Sequence, residues 1–127
     1  MMWVEIKQEI YTTLQPGHRG ILKCRGEDRR AIKCNNGKII SLQTGKTSYK
    51  SITYEMIRYA VNNLYTYGEF NSVIYRNAYP SDYKNATCRY SMIGGILIEV
   101  EIAERIYYGN NSCIYIQKVT LDNNSTK

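Results

Sequence analysis

Histidine, tryptophan and phenylalanine each occur once in the 127 residues, proline twice and cysteine four times. Each scarcity removes a class of function. His18 stands in PGHRG with no acid or nucleophile beside it, so it reads as a loop residue and not as a general base. Asp82 and Glu69 have no partner carboxylate at an identifiable spacing. The chain therefore reads as a non-enzyme, with no cofactor. Cys24, Cys34, Cys88 and Cys113 form no C-x2-C pair, and a zinc site would have to gather all four, or three plus His18, from scattered positions. They are expected to be buried thiols, with disulfides only if the protein is secreted. No apolar run approaches the ~18 residues that span a bilayer. The start, MMWVEIKQEIYTTL, carries two Glu and lacks the small-residue cleavage site of a signal peptide. The expected compartment is the cytoplasm, with no membrane partner.

Charge is present in surplus, and it is unevenly placed. Net charge is +6, and residues 1–50 hold ten Lys or Arg against four acids, whereas the remainder is neutral. Any polyanion-attracting surface is thus expected in the first half. The thirteen tyrosines are many for this length. They are expected to pack with the hydroxyl at the surface, the alternative being stacking on unpaired bases.

Periodicity divides the chain. Trp3, Ile6, Ile10 and Leu14 fall at steps of three and four, which predicts a short helix over 2–14 stopped by Pro16-Gly17; a strand through WVEIK is the competitor. ILKC, AIKC and KIISL predict an antiparallel β-meander over 20–42. Its turns are RGEDRR and NNG, the latter suited to a two-residue turn with positive φ at Asn36 and Gly37. QTGKTSYK is a polar connection. Its Gly-Lys-Thr triplet lacks the first glycine of a phosphate loop, since Ile40 stands there, and no helix follows directly. A nucleotide-binding loop is rejected.

From Thr53 the period is 3.6. Thr53 as N-cap, Glu55 in the first turn, an Ile52–Ile57 staple and the stripe Ile57, Ala60, Val61, Leu64 predict a helix over 53–67 ending at Gly68. A second, short helix is capped by Asn71 or Ser72 and runs to about Asn77, with Val73 and Ile74 inward. Pro80 marks a turn or the next helix start. In NATCRYSMIGGILIEVEIAERI, the stripe Ala86, Tyr90, Ile93, Leu97, Val100 predicts a third helix that delivers the chain into a hairpin over 102–108 and 112–117; a long strand after the glycines, with Ile98, Val100 and Ile102 alternating with Glu99 and Glu101, is the competitor. Gly94-Gly95 cost such a helix ~1 kcal/mol each and imply that another backbone comes close. Leu121 is the single apolar residue of the tail LDNNSTK, which is expected to fray.

The order helix, short helix, helix, hairpin over residues 52–117 resembles a winged helix-turn-helix domain. Gly68-Glu69-Phe70, CRYSMIGGILIEVEIAERI and SCIYIQ carry the resemblance. The fold class expected is α+β: an N-terminal helix and basic meander (1–50), a winged-helix domain of three helices and a hairpin wing (51–119), and a tail (120–127). The resemblance implies binding of double-stranded DNA, as in a transcriptional or mobile-element regulator, with the third helix in the major groove. Its outward face would be Lys84, Asn85, Thr87, Cys88, Arg89, Ser91 and Met92. Asn85 and Arg89 would read bases and Lys84 and Ser91 would touch phosphate. Lys23, Arg25, Arg29, Arg30 and Lys33 on the meander would hold further phosphates. Many such regulators are dimers, and Trp3, Ile6 and Ile10 would form that contact. No glycine lies between Gly95 and Gly109, where the family often ends its third helix with one, and the wing tip Tyr107–Asn111 has no Lys or Arg. That neutral, Tyr-rich half motivates the alternative of a protein-interaction or inhibitor module.

Overall fold

A computed structural model describes residues 2–85, 88–108 and 112–118. Among these it is a mixed α+β fold with five helices and three small antiparallel sheets. Helix α1 spans Trp3–Thr13, and the helical period prevails over the strand reading because Ile6, Ile10 and Leu14 are all fully buried. That burial overturns the expected dimer contact: Ile6 and Ile10 face their own core, and only Trp3 keeps partial exposure.

The expected meander is two separate sheets. β1 (Ile21–Leu22) pairs with β2 (Arg29–Arg30), whereas β3 (Ile32–Asn35), β4 (Ile39–Gln43) and β5 (Tyr49–Thr53) form the second. The end of the supposed polar connection is therefore a strand, β5. The β3–β4 turn also differs from expectation. Gly37 has φ +86°, but Asn36 does not share it; instead the Asn36 Oδ1 accepts from the backbone N–H groups of Lys38 and Ile39, both at 2.9 Å. A side-chain turn replaces the second positive φ. Asn35, buried beside it, donates from Nδ2 to the Ile10 and Leu14 carbonyls at 3.1 and 2.9 Å, satisfying the end of α1.

Helix α2 (Tyr54–Tyr67) forms as its local signals dictate. Thr53 Oγ1 accepts from Met56 N at 3.0 Å, and Gly68 closes the helix with φ +83°. β6 (Glu69–Phe70) leads to α3 (Ser72–Ala78), where Asn71 is the cap. Val73 was expected inward but is 49% exposed, while Tyr75 is fully buried, so the helix is rolled towards its aromatic residue. α4 covers Pro80–Asn85 and α5 covers Cys88–Glu99. β7 (Ala103–Tyr108) and β8 (Ser112–Gln117) complete a sheet of order β6-β8-β7.

Helix α5 is the centre of the molecule. Every residue from Tyr90 to Leu97 is buried. A Cβ on Gly95 would lie 2.3 Å from the Leu22 carbonyl oxygen, and one on Gly94 would lie 2.0 Å from the Tyr115 ring. The glycines thus let strand β1 and a ring of β8 seat directly on the helix, which is the close approach their presence implied. The helix ends in a Schellman arrangement: Ile102 N donates to Leu97 O at 3.1 Å and Glu101 N to Ile98 O at 2.9 Å. Glu101 takes the left-handed position, φ +66°, that glycine usually fills.

Phe70, Tyr75, Tyr90 and Tyr115 make one aromatic cluster, with ring centroids 5.3 Å apart for Phe70–Tyr90 and 5.4 Å for Tyr90–Tyr115. Packing was expected, but with hydroxyls outward. Instead Tyr90 donates to the Cys113 carbonyl at 2.8 Å, Tyr75 to Asp82, and Tyr54 to Asn35 Oδ1 at 2.5 Å. Apolar residues from both sides of position 50, Ile6 and Ile40 as much as Ile57 and Ile93, belong to one buried cluster.

Candidate functional site

The β1–β2 pairing sets Ile21 opposite Arg30 and Leu22 opposite Arg29. Ile21 and Leu22 anchor the hairpin on α5, so its two arginines are held at a fixed height above that helix. Arg29 is fixed further. Its Nη1 donates to the Gly20 carbonyl at 2.8 Å and to Glu99 Oε1 at 3.0 Å. Glu99, on the last turn of α5, keeps only 5% of its side chain exposed. Its second oxygen accepts from Arg19 Nε at 2.8 Å and from His18 Nε2 at 3.0 Å. Since His18 Nδ1 accepts from Gly20 N at 3.0 Å, the ring carries its proton on Nε2. Burial raises the Glu99 pKa, but the hydrogen bonds and charges of Arg19 and Arg29 outweigh it and hold the carboxyl below its usual range.

Beside this cluster lies a cleft of about 250 Å³ lined by Lys23, Arg29, Arg30, Gln43, Thr44, Gly45 and Lys46. Two sheets build it: Lys23 and the arginines come from the β1–β2 hairpin, and Gln43 to Lys46 from the end of β4 and its turn into β5. Arg30 Nη1 is buried with no hydrogen-bond partner among the described residues, as is the Tyr115 hydroxyl. Burial pushes that hydroxyl's pKa up, and the charges of Arg30 and Arg105 act against the rise. The turn that carries Lys23 is tied to the opposite sheet. Arg105 on β7 donates to the Lys23 carbonyl at 2.7 Å and to Glu27 at 3.0 Å, and Cys24 forms a disulfide with Cys113 on β8. This pairing corrects the expectation of four buried thiols. The turn lies on β8, bringing together residues 89 apart in sequence, while Cys34 is an exposed free thiol and Cys88 a half-buried one.

Three of the expected phosphate-holding residues, Lys23, Arg29 and Arg30, therefore share one cleft. Arg25 is exposed in the β1–β2 turn, and Lys33 is exposed on β3 with its ammonium 4.0 Å from the Tyr49 ring centroid; neither lines the cleft. Of the expected DNA-facing residues, those described on α5 are engaged within the fold. Ser91 is buried and donates to the Cys88 carbonyl at 3.0 Å, and Met92 is fully buried, because α5 is covered on the side that would face a groove. Arg89 is turned inward to Asp82 and, through Nε at 2.8 Å, to the Ser51 carbonyl. Lys84 and Asn85 close α4 by their backbone, and Thr87 lies outside the described residues. Lys46 and Thr44 were not singled out as binding residues. For Lys46 the one signal was the triplet Gly45-Lys46-Thr47, which sits in a β4–β5 hairpin turn and not before a helix; Thr44 lies outside it. No helix of the described residues is long and apolar enough to cross a membrane, and among them no three His, Cys, Asp or Glu side chains converge as metal ligands. Comparison with protein-family models, curated proteins and solved structures gives no match for this chain.

Proposed function

We propose that this protein binds duplex DNA through its phosphates, without reading bases, and that its basic cleft is the contact. The convergence of Lys23, Arg29, Arg30 and Lys46 on one cleft carries this reading. Phosphate neutralisation supplies most of non-specific affinity, and fixed cations on a rigid hairpin suit it. Residues 51–119 are read as a winged helix-turn-helix. The order α2, β6, α3, α5, β7, β8, with α4 inserted between α3 and α5, and the strand order β6-β8-β7 support that assignment. In this reading α5 has become a core element, and the DNA-facing role has passed to the N-terminal hairpin that covers it. Glu99 then serves as a positioning residue, orienting Arg29.

Fluorescence anisotropy with labelled random duplex, titrated at several salt concentrations, tests the proposal. Binding should fall steeply with salt, and Lys46→Ala and Arg30→Ala should each lower the log–log slope by about one. Arg89→Ala should leave the slope unchanged. Absence of binding at low salt overturns the reading.

A protein partner is the second reading. The edge strand β7 favours it, since it exposes Ile106 and Tyr107 together. A partner that stays bound at high salt would support this alternative.

A further inference from the structure

We infer that the cleft is a receptor for a phosphate monoester, the doubly charged end group, in preference to the singly charged diester of a continuous backbone. The inference rests on the same cleft as the proposed DNA contact but makes a narrower claim. Three observations carry it. The cations converge: two arginines and Lys23 from one hairpin face Lys46 from another, around about 250 Å³. A stripe along a duplex would spread them. The volume lies below the ~300–1,000 Å³ of pockets that engulf a drug-sized ligand, so it suits an end group and not a whole nucleotide. The lining contains no aromatic ring on which a base could stack and no acid to oppose a dianion, while Gln43 and Thr44 add neutral hydrogen-bonding groups.

Charge then decides the preference. A monoester carries about −1.5 to −2 near neutral pH, with a second pKa of about 6. A backbone diester carries −1, so four converging cations, Arg29 among them already paired with Glu99, distinguish the two electrostatically. Arginine forks match the oxygens of a phosphate. Arg29 is already held by Glu99 and Gly20, and Arg30 has a buried Nη1 that no described residue satisfies. For Arg29, little ordering is left to be done on binding.

The monoester has two sources, the phosphorylated end of a nucleic acid strand or a free phosphorylated small molecule. Calorimetric titration of the intact protein with methyl phosphate and dimethyl phosphate tests the shared chemistry. Methyl phosphate should bind at least about tenfold more tightly, and its affinity should fall as pH drops through about 6. Lys46→Ala, on an exposed side chain, should weaken it several-fold without touching the fold, and Arg30→Gln should do the same. Equal affinity for the two esters, or binding of neither, overturns the inference. A matched pair of oligonucleotides, 5′-phosphorylated and 5′-hydroxyl, separates the sources. A preference for the phosphorylated strand assigns the cleft to strand ends, and equal binding with methyl phosphate still held assigns it to a small molecule. Random duplex bound without ester preference leaves the proposed function standing and removes this inference. Methyl phosphate bound without duplex does the reverse.

Discussion

Glu99 shows how one side chain sets the charge pattern of its surroundings. Because its folded pKa is lowered, the ionised form contributes stability at pH values above the ordinary carboxylate range. That contribution is lost as pH falls from about 4.5 through the folded value. Glu99→Gln should therefore flatten the acid limb of the stability–pH curve. It should also cost about 2 kcal/mol near neutral pH, less than the ~3–5 of a fully buried pair because Arg19 reaches solvent. Urea denaturation of both proteins across the acid range checks this, and an unchanged acid limb would sink it. Two residues on, Glu101 pays for its left-handed backbone. Glu101→Gly should raise stability by about 1 kcal/mol, read from the urea midpoint at unchanged slope.

At the scale of elements, α5 and β1 act as a unit. Gly95→Ala would set a methyl group against the Leu22 carbonyl oxygen, and neither backbone can yield easily. A loss of about 3 kcal/mol or more is expected, the upper end of overpacking, together with weakened binding of methyl phosphate as the hairpin lifts. Full stability in this variant would show that the hairpin does not rest on the helix. Helix α2 was legible because its signals are local: Thr53, the apolar stripe from Ile57 to Leu64 and Gly68 lie within sixteen residues and agree. The path from α5 into the hairpin was legible for the same reason, and the glycine pair even announced a close neighbour. What sequence could not name was that neighbour. Ile21-Leu22 meets Gly95 across more than seventy positions, and no local pattern marks it. The same gap explains the third helix. Its apolar stripe is buried from Tyr90 to Val100, Ala86 lying outside the described residues, but Ser91 and Met92 looked exposed because the β1–β2 hairpin that shares the helix was read as a separate module. Glu99, which no local pattern singles out, is where three N-terminal side chains converge.

At the scale of the molecule, one covalent link joins the basic hairpin to the last described strand. Cys24 and Cys113 have Cα atoms 6.0 Å apart and close a loop of 89 residues. Constraining so long a segment in the unfolded chain should stabilise the protein by about 3–4 kcal/mol. Reduction with a thiol, or Cys24→Ser, is expected to lower the denaturation midpoint accordingly, and an unchanged midpoint would count against the link. Such bonds persist in oxidising compartments, so thiol trapping at cell lysis, followed by peptide mapping, reports which surroundings this chain occupies.

The seat of the Tyr115 ring on Gly94 has a consequence for how the chain is made. A nascent polypeptide emerging from the ribosome exposes its ten basic side chains within the first fifty residues, long before the ring that covers α5 has been translated. The hairpin and the helix can meet early, but Gly94 has no ring seated on it until β8 is out. A product arrested before that strand would carry the cations on an unfinished core, sticky on one face and charged on the other. The cell would meet it as a substrate for chaperones and proteases.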